Sequence, residues 1–132
     1  MDNPFADIRG PEDARAALAD WKERADRRAS DAIAASEAVQ AVTAVGADGN
    51  GIVNVKLDSS GAILQVAFSP EVRRMQPNHL ERQFMQAYGN AGQALLEAAK
   101  AAVAQRLSPD SPTAKALVDS IEMRFPEREA EG

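Results

Sequence analysis

Two periodicities divide the chain. After Pro11, the apolar positions Leu18, Trp21, Ala25, Ala32 and Ile33 recur at steps of three and four, while Arg24, Arg27, Arg28 and Asp31 fall largely outside that stripe. This spacing predicts a helix from about Glu12 to Val39. Its start is marked by a proline tolerated in a first turn and by Glu12 and Asp13, which suit the positive end of the helix dipole. A helix this long with so narrow a stripe is expected to pack on another helix. The period then falls to two. Val53, Val55 and Leu57 alternate with polar neighbours, and Leu64, Val66 and Phe68 repeat the pattern, as half-buried antiparallel strands do. Asp58-Ser59-Ser60-Gly61 is the turn between them. Asp48-Gly49-Asn50-Gly51 supplies turn dipeptides upstream, so Gln40 to Ala47 is expected to be a first strand.

Pro70 ends the last strand, and a helical pattern returns after Pro77. Leu80, Phe84, Tyr88, Ala91, Leu95, Ala98 and Ala102 share one face of a second helix running to about Leu107. Asn78 followed by Glu81 has the spacing of a capping box, and Pro77 would suit the first helical position. Gly89 and Gly92 each cost about 1 kcal/mol relative to alanine inside a helix, which points to close approach of another backbone there. After Ser108 to Pro112, a short helix is expected from Thr113 to about Arg124. The fold class is therefore α+β: a long N-terminal helix, a three-stranded antiparallel meander, a long second helix and a short C-terminal helix. Residues 1–11 read as a flexible arm, 12–107 as one domain, and 108–132 as an extension with an acidic, disordered tail.

Composition changes this picture in one respect. About a fifth of the 132 residues are alanine, and only six are aromatic, so each buried position removes little apolar area from water. A thin core makes oligomerisation a natural source of stability, and a dimer is expected on that ground alone. The chain has no cysteine, which excludes a disulfide framework, thiolate chemistry and a cysteine zinc site. It has no secretory signal pattern and no apolar run of transmembrane length, so an intracellular protein without membrane association is expected.

The net charge of -5 argues against nucleic acid at face value, since phosphate affinity rests on a positive field. The acidity, however, lies at the ends. Residues 38–107 hold six basic and five acidic groups, while residues 1–37 hold six and nine, and residues 108–132 three and six.

Gly49, Gly51-Ile52-Val53-Asn54-Val55, Gly61 with the strand to Phe68, Ser69-Pro70, and Leu80, Phe84, Ala87, Ala91 and Ala94 together resemble the pattern of the YbaB/EbfC nucleoid-associated proteins. The similarity spans about residues 12–107. It implies an intertwined dimer whose protomers share a sheet, with projecting helices proposed to grip double-stranded DNA in the cytoplasmic nucleoid. Two features depart from that pattern: helix 1 carries seven acidic and five basic groups between Glu12 and Glu37, and the chain continues past the usual end. In these respects it is similar to actinobacterial members, some of them associated with type VII secretion.

Two basic clusters are candidates for DNA. Lys22, Arg24, Arg27 and Arg28 form the denser one, able to meet phosphates bidentately, though its spacing to Glu23 and Asp20 favours a solvated, internally paired face. Arg73, Arg74 and Arg82 form a second one at a helix start, where backbone amides also favour an anion. Leu18, Trp21, Val53, Val55, Val66, Phe68, Phe84 and Tyr88 are expected in the core or the dimer contact. His79, the sole histidine, reads as a surface residue of a helical turn. No nucleophile, base and orienting group can be assembled and no metal set is present, so neither an enzyme nor a cofactor is expected. Two functions stay open: a homodimeric, largely sequence-independent DNA binder, or a protein-interaction module without DNA binding, such as a type VII secretion-associated accessory protein.

Overall fold

The computed structural model describes residues 10–124. The flexible arm, apart from its last residues, and the acidic tail read from the sequence lie outside them. The elements follow in the order α1 (Pro11–Gln40), β1 (Ala44–Ala47), β2 (Val53–Leu57), β3 (Ile63–Phe68), a 3-10 turn (Pro70–Arg74), α2 (Pro77–Ala104) and α3 (Pro112–Arg124). The three strands form one antiparallel sheet in the order β1-β2-β3, as the meander predicts.

Helix α1 is longer at its C-terminal end than the sequence pattern suggested, and the first strand is correspondingly shorter. Ala41 donates its amide to the Glu37 carbonyl at 3.1 Å, so the chain keeps helical bonding through residues expected to start a strand. β1 then begins only at Ala44. At the start of α2 the capping box does not form: Gln76 is the N-cap without a side-chain bond, and Pro77 occupies the first helical position, where its missing N–H costs nothing.

Helix α2 lies across β1 and β2. Val53, Val55 and Leu57 point into it and are fully buried with Ala87, Ala91 and Leu95, each large aliphatic side chain contributing about 1.5–3 kcal/mol by leaving water. A close backbone approach occurs at the strand glycine Gly46. A Cβ there would collide with the Ala91 amide and the Ala87 carbonyl, so helix and strand meet without an intervening side chain. Gln86 accepts from the Gly49 amide at 3.0 Å and Asn90 donates to the Ala47 carbonyl at 2.8 Å, fixing the β1–β2 turn to the helix. Inside that turn the buried Asp48 carboxylate accepts from Val53 at 2.6 Å and Asn50 at 3.1 Å, while Gly51 supplies the positive φ of 69°.

A second core joins the three helices. Val39 of α1, Leu96, Ala99 and Val103 of α2, and Ala114 and Ile121 of α3 form it, and Lys100 pairs with Glu122 at 3.0 Å on its rim. α3 thus closes the base of α1 onto α2. The rest of α1 projects: Ala35 and Val39 are its buried residues, within a helix of 30 residues about 45 Å long.

Candidate nucleic-acid interface

The arm of α1 presents the first basic cluster. Trp21, Arg24, Arg27, Arg28 and Asp31 line one shallow groove along its surface. Arg27 is paired with Glu23 at 2.7 Å, one helical turn away, and the Arg28 Nε reaches back to the Arg24 carbonyl at 3.4 Å. Arg28 also falls in line with Trp21 and with the buried Ala35, so it sits on the apolar stripe rather than beside it. Trp21 and Leu18 are 51% and 53% exposed, so of the two placements expected for them, core or dimer contact, the core of the single chain does not hold them; among the described residues α2 and α3 reach only the base of the arm. Ile33, also expected on the stripe, is exposed.

The second cluster lies at the entry to α2. Arg73 and Arg74 occupy the last turn of the 3-10 helix, and Arg82 the second turn of α2. All three are exposed, and among the described residues none forms an ion pair. They flank a helix N-terminus that has no side-chain cap, so positive charge and backbone dipole act together on any anion at this corner. His79 is exposed on the same first turn.

A third feature is apolar. Val66 and Phe68 sit directly opposite Val55 and Val53, on the side of the sheet that α2 covers elsewhere. Helix α2 packs chiefly on β1 and β2, so Val66 is half-buried against the core while Phe68 stands 51% exposed; of the two placements expected for Phe68, core or dimer contact, the core of the single chain does not hold it. Phe84 and Tyr88 stack with centroids 6.4 Å apart and are also only half-buried. Ile63, Leu64 and Met85 are exposed as well, and sequence reasoning missed Ile63 and Met85. The adjacent pair Ile63-Leu64 carried the signal, since it breaks the alternation where the β2–β3 register shifts.

The described residues include no group of three or more His, Cys, Asp or Glu able to hold a metal ion, and no helix long and apolar enough to cross a membrane. Residues 15–109 match the model of the YbaB/EbfC DNA-binding family, from the first turns of α1 through the end of α2. The chain belongs to the YbaB/EbfC DNA-binding family. No curated protein matches it. As a YbaB/EbfC member it falls in a nucleoid-associated, DNA-binding group, and DNA is the partner that membership supports; neither the match nor the fold supports the alternative of a secretion-linked protein module. The match stops short of α3, so the helix that closes the second core is an addition to the matched region.

Proposed function

We propose that this YbaB/EbfC protein is a homodimer that binds duplex DNA in the cytoplasmic nucleoid largely without regard to sequence, and that it acts by binding rather than by catalysis. The observation that carries the reading is the arginine corner, Arg73, Arg74 and Arg82, which forms no ion pair among the described residues and lies beside the N-terminus of α2, which has no side-chain cap. Arginines on an exposed corner suit phosphates, which carry no base information, and two such corners per dimer offer six guanidinium groups. The α1 arm supports this role less well: between Glu12 and Glu37 it has seven acidic and five basic groups, and one of its arginines is already neutralised by Glu23.

The dimer rests on the uncovered face of β3. Phe68, Val66 and the Phe84–Tyr88 pair continue the core to the surface, and an apolar patch continuous with a thin core is what a second copy would bury. The test is fluorescence anisotropy of a ~30 bp duplex at several salt concentrations with GC-rich and mixed sequences. Engagement of four to six phosphates predicts a slope of log affinity on log salt of about -4 to -5, with little sequence preference. Absence of binding at about 50 mM salt would sink the reading.

A further inference from the structure

Beyond DNA binding and the β3-mediated dimer, we infer that the projecting α1 arms of two copies pair with one another in antiparallel fashion across the Trp21 face. Leu18, Trp21, Ala25, Arg28, Ala32, Ala35 and Val39 are separated by alternating steps of three and four, the spacing of a helix-packing seam. The C-terminal end of that seam is occupied, since Ala35 and Val39 are buried at the base of the arm. The rest of it is uncovered, with Leu18 and Trp21 half exposed.

The seam's own sequence selects a second copy as the occupant. In an antiparallel pair centred between Ala25 and Arg28, Trp21 faces Ala32 of the second copy and Ala25 faces its Arg28, and the twofold axis repeats both layers. Every layer then sets a large side chain against a small one, with the Arg28 stem lying along the alanine and its guanidinium at the edge. The flanking positions agree independently. Arg24 falls opposite Asp31 of the second copy, and Asp31 opposite its Arg24, giving two opposite-charge contacts from one register. Shifting the register by one heptad toward the tips would instead oppose Arg24 to Arg24 and Lys22 to Lys22. Trp21, Arg24, Arg28 and Asp31 line the same surface groove, so the groups this pairing uses already share one face.

The contact spans residues 21–32, about 18 Å of helix, and the arm tips must splay away because the base of the opposite arm is covered. Such an area lies below the roughly 1,200 Å² of a standard stable interface, so the association is weak and concentration-dependent. A protomer with two different twofold contacts, β3 and α1, links dimers into closed tetramers or open chains.

Trp21 is the only tryptophan, so it reports on its own burial. In the full-length protein without DNA, raising the concentration from about 1 to several hundred micromolar should blue-shift its emission, in step with a rise in mass by sedimentation equilibrium. R24D and D31R should each weaken this association by about tenfold, and the R24D/D31R double variant should restore it to within about threefold. Circular dichroism should show equal helix content in all four proteins, since both positions are exposed. An emission maximum that stays constant with concentration, or a double variant no better than the single ones, would overturn the pairing.

Discussion

At the scale of single residues, the decisive positions are those whose side chain, or lack of one, no neighbour can replace. Gly46 is such a position: a methyl group there meets helix backbone, which cannot move aside as a flexible side chain would. Gly46→Ala should cost at least 1–3 kcal/mol, read as a lower urea midpoint, whereas Gly49→Ala, whose Cβ would meet only the Gln86 side chain at ordinary contact distance, should cost less. Asp58 is a second case. Hydrogen bonds from the Ser60 hydroxyl and the Ala62 and Ser60 amides hold its carboxyl below the usual carboxylate range. A depressed folded-state pKa contributes stability above the unfolded value near 3.8 and loses it as pH falls through the lower folded value. The wild type should therefore lose more stability than Asp58→Asn between about pH 5 and 2 in parallel thermal melts. Of these two positions, the sequence showed Asp58 as a turn residue and Gly46 only as one position of the expected first strand. The partner that makes Gly46 irreplaceable lies 41 to 45 residues away, at Ala87 and Ala91, and spacing along the chain does not reveal it.

At the scale of elements, equal patterns meet unequal fates. β2 and β3 alternate alike in the sequence, yet Val53, Val55 and Leu57 are buried while β3 is largely exposed. Alternation shows which side chains share a face, and it does not show how far a helix reaches across the sheet. The same holds for α1, whose 3-4 spacing is legible throughout but whose cover ends near Ala32. The helix, meander, helix order and the type of every α-helix and strand were legible because period and turn chemistry are local, whereas the 3-10 turn at Pro70–Arg74 was not. The helix-to-strand boundary at Gln40 to Ala44 was not, because Ala38-Val39-Gln40 suits either state and burial of Val39 in the second core favours the helix. α3 gives this scale its prediction. Ile121→Ala should cost about 2–4 kcal/mol, and because Ile121 closes the base of α1, amide exchange should quicken near Val39 before it does in β2.

At the scale of the whole molecule, the distribution of charge and of uncovered apolar surface outweighs their totals. A net charge of -5 coexists with an arginine corner free of ion pairs among the described residues. The sequence brought out both basic clusters and the possible pairing of the arm cluster with Glu23; the structure places Glu23 on Arg27 and sets Trp21 in one groove with the arm arginines. The open face of β3 predicts that Phe68→Asp, a change at an already exposed site, halves the mass of the protein in light scattering while leaving its helix content unchanged. The central claim, that DNA is held by the corner at α2, is tested most directly by measuring the salt dependence of duplex binding for two triple variants side by side. The account predicts that R73A/R74A/R82A loses most of the affinity and flattens the slope by several units, while R24A/R27A/R28A keeps both near wild type. The opposite pattern, with the arm variant losing DNA and the corner variant keeping it, would contradict the account.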